Sequence, residues 1–164
     1  MEGPLTPEKR MPLNYETAKA VVDEAHRAWS AGDIDAVLRT YADDIWFQRN
    51  AEQASAPPLV IHGKSEMETF LRGIASKVSG MAVLESFQFH SGIGRSRVSY
   101  FLTDRETGQT LSATYRQIIM FRGLQISRME QFHDAARLSA FFRLIEVPVF
   151  YRESAPSKAE AEES

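Results

Sequence analysis

The sequence predicts an α+β fold, and three observations carry that prediction. Apolar residues recur at helical spacing through the first third of the chain and again over 64–78. From Ala82 the period changes to two, and after Asp134 it returns to the helical one. Helices first, an antiparallel meander next and one closing helix describe an α+β domain rather than alternating βαβ units.

Each element has a local reason. Ala18, Val21, Val22, Ala25 and Trp29 form an i, i+3, i+4, i+7 stripe that predicts a first helix. Asn14 stands at its N-cap, and Glu16 complements the dipole. Ala31-Gly32 ends that helix, because glycine suits the left-handed position after a helix. Asp33 then caps a second helix presenting Ile34, Val37, Leu38 and Tyr41. That helix is expected to close on Tyr41-Ala42-Asp43-Asp44, with a strand from about Ile45. A third helix starts at Gly63–Glu68, with Ser65 and Glu68 at capping-box spacing and Gly80 just past its end. Phe87 and Phe89 mark a strand that turns at Ser91–Gly94. Strands over 95–103 and 110–121 flank a polar hairpin loop, and Arg122-Gly123 turns into a strand over 124–133. Asp134 caps a last helix whose apolar face holds Leu138, Phe141, Phe142 and Ile145.

Composition narrows the function. The chain has 164 residues, 43% hydrophobic and 25% charged, which is one soluble domain's worth. A net charge of −3 argues against a nucleic-acid surface, and the absence of cysteine excludes disulfides and thiolate chemistry. Neither a secretory h-region nor a membrane-length apolar run is present, so no membrane partner and a cytoplasmic location are expected. No His and carboxylate pair has metal-ligand helical spacing; neither a metal nor another cofactor is expected. Residues 1–13 are expected to form a mobile arm, 14–151 the domain, and 152–164 a disordered acidic tail. Val147–Tyr151 is apolar enough to pack on the domain, a partner or a pocket mouth.

The order of elements, Ala31-Gly32-Asp33, Tyr41-Ala42-Asp43-Asp44 and Phe132-His133-Asp134 together resemble the nuclear transport factor 2-like superfamily. Its SnoaL-like polyketide cyclase and ketosteroid isomerase-like branch is most similar. The resemblance implies a cone-shaped α+β barrel, also called cystatin-like, in which a strongly curved antiparallel sheet packs on helices around an apolar pocket. It also implies a homodimer through the sheet. The positions at which ketosteroid isomerases keep a tyrosine and a general-base aspartate fall on Ala25 and Arg49, and their third residue on Gln117. Limonene-epoxide hydrolases keep Arg-Val-Asp and a second Asp where this chain has Arg97-Val98-Ser99 and Gln131. The carboxylates of both chemistries are missing, so neither reaction is expected in its familiar form.

The candidate residues follow from strand parity and that resemblance. Ser127, Met129, Gln131 and His133 share one side of the last strand, and the resemblance turns that side to the pocket. His133 is a candidate catalytic proton shuttle. Its alternative is a neutral imidazole hydrogen-bonded to backbone. Arg49 either reaches the pocket, where a buried guanidinium would favour an anion, or begins a solvated loop. Tyr115 and Gln117 lie on the apolar face of their strand, and Phe47, Met129 and Gln131 complete the candidate ligand-binding set. Periodicity turns Arg97 and Ser99 away from the core, whereas the hydrolase resemblance turns Arg97 inward. His26, His62 and His90 are expected at the surface or at caps, and Asp43 and Asp44 in a structural turn. Two functions remain open: a binding protein for a small apolar or aromatic ligand, neutral or anionic, and a cofactor-independent isomerase, cyclase or lyase using His133. A noncatalytic assembly module is the third.

Overall fold

The computed structural model describes residues 11–53 and 55–147. Expectations for 1–10 and 148–164, including Phe150 and Tyr151, lie outside the described residues. The elements run α1 (Tyr15–Ser30), α2 (Ile34–Arg39), β1 (Tyr41–Arg49), β2 (Leu59–His62), α3 (Lys64–Lys77), β3 (Val78–His90), β4 (Ile93–Asp104), β5 (Thr110–Arg122), β6 (Gln125–His133) and α4 (Ala135–Leu144). The six strands form one curved, unclosed sheet in the order β2-β1-β6-β5-β4-β3.

The helix starts follow the predicted chemistry at three of four sites. Asn14 Oδ1 accepts from the Thr17 amide at 3.0 Å while Thr17 Oγ1 accepts from the Asn14 amide at 2.9 Å, a reciprocal cap. Asp33 accepts from Ala36 N at 3.0 Å, and Asp134 from Arg137 N at 3.2 Å. Gly32 has φ +71°, the left-handed joint that its position required. α3 differs: Gly63 is its N-cap without a side-chain bond, and Glu66 instead accepts from His62 N at 3.0 Å. The Ser65–Glu68 capping box is therefore not formed.

Four further expectations are corrected. Tyr41 already belongs to β1, because its backbone pairs with Ile126 of β6. The sheet is not wholly antiparallel, since β1 and β6 run parallel. The strand β2 was not foreseen; it is four residues long and pairs with Trp46–Arg49. Gly80 does not terminate α3 but lies inside β3, which begins at Val78. A Cβ on Gly80 would sit 2.5 Å from Trp29 Nε1, so glycine there lets α1 pack onto β3.

The inner face of the sheet and the four helices enclose the core. Val22, Ile45, Met67, Ile119 and Ile126 are almost fully buried. Burial of each such side chain contributes roughly 1.5–3 kcal/mol. Strand register shifts at three places, in the β1–β6, β3–β4 and β5–β6 pairings. The β5–β6 register jumps from Met120↔Arg128 to Phe121↔Ile126, so Ser127 is a bulge residue and Ile126 takes the buried position.

Candidate functional site

The sheet's inner face is organised in transverse rows, because side chains alternate along each strand and register aligns them between strands. One row runs Phe47–Met129–Ile119–Gly94. The next runs Arg49–Gln131–Gln117–Ser96, and the third His133–Tyr115–Val98. A polar row thus lies between an apolar row and a mixed one. Arg49 is 8% exposed and Gln117 2% exposed, so both are interior groups.

In front of these rows is a cavity of about 140 Å³. Phe47, Arg49, Tyr115, Gln117, Met129, Gln131 and His133, the whole candidate set, line it. α1 contributes Val22, Ala25, His26 and Trp29; α3 adds Met67, Phe70, Leu71 and Ile74. The wall is mostly apolar and aromatic, and among the described residues no Asp or Glu is part of it. An apolar cavity of roughly 150 Å³ holds a benzene-sized molecule. Trp46, Met120 and Phe132, which could have filled the space, are not among its lining residues.

Hydrogen bonds tie three candidates into a chain. His133 Nε2 lies 2.8 Å from Gln131 Oε1. An amide oxygen only accepts, so Nε2 carries the proton and Nδ1 is the bare acceptor of a neutral ring. Gln131 Nε2 in turn donates to Gln117 Oε1 and to Met129 Sδ, each at 3.4 Å. Gln117 Nε2 and His133 Nδ1 are left buried with no hydrogen-bond partner. The His133 ring stacks on Tyr115 at 4.6 Å and meets the edge of Tyr100 at 5.5 Å. Its main chain is held by Asn50, whose Oδ1 accepts from His133 N at 2.6 Å and whose Nδ2 donates to His133 O at 2.9 Å. The imidazole itself is not turned to backbone.

Electrostatics keep the site's imidazoles neutral. Burial, reinforced by the Arg49 charge, pushes His133 down to about 3. Burial pushes His26 down to about 4, with Asp23 opposing. Burial also raises Tyr100 and Tyr41 to about 12 and lifts Tyr115 further, so all three hydroxyls stay protonated. Among the described residues no group of His, Cys, Asp and Glu could hold a metal ion.

Three expectations are overturned. His26 is not a surface residue: it lines the cavity and its Nδ1 is buried without a partner. It stands four residues after Val22 and three before Trp29, so the helical stripe itself carried the signal. The inward direction that the hydrolase resemblance gave Arg97 is also wrong. Arg97 is exposed on the outer face, as its strand's alternation required. Tyr41, Tyr100 and Trp29 also line the cavity without having been nominated. Asp43 and Asp44 are not in a turn but inside β1, where Asp44 pairs with Arg122 at 2.7 Å on the surface.

No family model and no curated protein matches the sequence. Solved structures do match in shape. An NTF2-like protein of unknown function from Burkholderia pseudomallei aligns with a TM-score of 0.65 at 17% identity, over 79% of this chain and 97% of that one. TerC co-crystallised with polyporic acid aligns with a TM-score of 0.64 at 15% identity, over 79% and 98%. An LEH-like epoxide hydrolase of M. tuberculosis aligns with a TM-score of 0.61 at 15% identity, over 80% and 96%. At such identities the likeness is one of fold. Helix order, sheet and cavity position together give this chain the nuclear transport factor 2-like fold.

Proposed function

We propose that this domain is a SnoaL-like binding protein whose cavity holds a small, mainly apolar or aromatic molecule. The observation that carries the reading is an interior space of about 140 Å³ with an apolar wall, no carboxylate among the described residues, and a few polar groups gathered on one side. Pockets of that composition bind by burying a ligand's apolar surface while a few polar groups fix its orientation. TerC's complex with polyporic acid supports it by analogy of fold alone.

Acid–base catalysis through His133 is the weaker reading. A proton shuttle works best with a pKa near the working pH, and His133 lies near 3. The His133–Gln131–Gln117 chain is what speaks for it, since it could pass polarity to a substrate. We also take the protein to be cytoplasmic and dimeric through the sheet's outer face, where Met81, Val83, Phe101 and Phe132 are exposed. Among the described residues no helix is long and apolar enough to cross a membrane.

Thermal denaturation with toluene tests the binding reading. Wild type is expected to melt at a higher temperature as toluene is added, by mass action on the folded state. Ala25→Phe, which fills the cavity from α1, is expected to remove that shift. An unchanged wild-type melting temperature at saturating toluene would end the proposal.

A further inference from the structure

The polar row is costly unless something completes it. Gln117 is 2% exposed, yet its Nε2 has no hydrogen-bond partner; Ser96, its register neighbour on β4, has an equally orphaned Oγ. A buried donor left unsatisfied costs about 1–3 kcal/mol, so folded proteins rarely keep two side by side. Both belong to a row that also contains Arg49, and that row borders a cavity lined by Gln117 and Arg49. Gln117, unlike Ser96, lines the cavity, so what its Nε2 lacks is an acceptor on the cavity side.

Charge decides what kind of acceptor fits. Among the described residues of the cavity wall Arg49 alone carries a formal charge, and its field reaches both His133 and Tyr100. Its guanidinium also lies 6.0 Å from the Phe70 ring centroid, at the edge of the apolar part of the space. A cationic ligand would be repelled there. An anion would be attracted by the Arg49 guanidinium, whose planar fork suits a carboxylate.

We infer that this row anchors a carboxylate, so that the cavity's ligand is a compact aromatic or aliphatic carboxylic acid in its ionised form. One carboxylate oxygen accepts from Gln117 Nε2, the anion lies beside Arg49, and the body of the molecule rests against Phe47, Phe70, Ile119 and Met129. Ser96 is outside the cavity wall and does not touch the ligand. This inference rests on the binding reading above and adds the ligand's charge and its anchor.

Calorimetric titration at neutral pH with benzoate, toluene and benzylamine, on wild type and on Gln117→Met and Arg49→Met, tests it. Wild type is expected to bind benzoate at least about ten-fold more tightly than toluene, as charge-assisted bonds exceed neutral contacts, and benzylamine more weakly than toluene. Gln117→Met is near-isosteric, and it is expected to keep toluene binding while losing much of the benzoate preference. Its urea midpoint is expected to stay near that of wild type, because removal of the orphaned donor offsets loss of the 3.4 Å bond from Gln131 Nε2. Toluene binding without any preference for benzoate would overturn this inference and leave the binding reading intact. No binding of either probe would overturn both. A benzoate preference that survives both substitutions would show that the anchor has been placed on the wrong residues.

Discussion

Acidification below neutrality reports directly on the two cavity imidazoles. In the unfolded chain a histidine takes up its proton near 6.5, whereas folded His133 does so only near 3 and folded His26 near 4. Between those limits the unfolded state binds more protons, so stability rises with pH across the window and falls as pH drops through 6.5. Each imidazole removes roughly 1 kcal/mol between pH 6.5 and 5.5, and about 2 kcal/mol by pH 5 relative to the fully neutral limit. The pair therefore costs on the order of 2 kcal/mol over the first unit. For a chain of this size that lowers the melting temperature by roughly 4–8 °C. Urea unfolding followed by circular dichroism at half-unit pH steps measures the slope. His26→Leu and His133→Leu are each expected to flatten it by about half, and the double variant to leave only a shallow residue. A stability that stays level from pH 7 to 5.5, or a wild-type slope retained by the double variant, would show that the imidazoles are solvated and the site misread.

Two substitutions probe the scaffold around the site. Gly80→Ala places a methyl 2.5 Å from Trp29 Nε1, an overpacking expected to cost about 1–3 kcal/mol in urea unfolding. Adding Trp29→Phe is expected to recover part of that loss, and strict additivity would contradict the contact. Asn50→Ala removes both hydrogen bonds to the His133 main chain and is expected to destabilise by about 1–3 kcal/mol. It is also expected to shift the His133 ring resonances and weaken ligand binding, whereas Glu52→Ala nearby is expected to do neither.

Much of the fold was legible because local chemistry and periodicity agree here. Asn14, Asp33 and Asp134 act as caps where their side chains can reach free amides, and Gly32 adopts the positive φ its joint requires. The alternation of β5 placed Tyr115 and Gln117 inward, and that of β4 placed Arg97 outward against the family analogy. What the chain concealed depends on partners distant in sequence. β2 follows two prolines and has only four residues, too short to show a period. The parallel pairing of β1 with β6 joins residues about eighty positions apart, and no local signal encodes it. Ser127 broke parity because a bulge adds a residue without changing composition. Gly80 read as a helix stop, since a glycine reserved for an indole looks the same in sequence as one reserved for a cap. The candidate site was readable as a set because its members share strand parity. His26 was passed over because polar neighbours in sequence masked its place on the apolar stripe.

Whether a small molecule occupies the interior is the central question, and methyl-resolved NMR on the protein with bound benzoate answers it most directly. Intermolecular Overhauser effects are expected from the ring protons to the methyl groups of Met67, Ile119, Ile126 and Met129, four cavity-wall residues almost wholly shielded from solvent. Effects confined to Met81, Val83 or Met120 on the outer face, or none at all, would contradict the account.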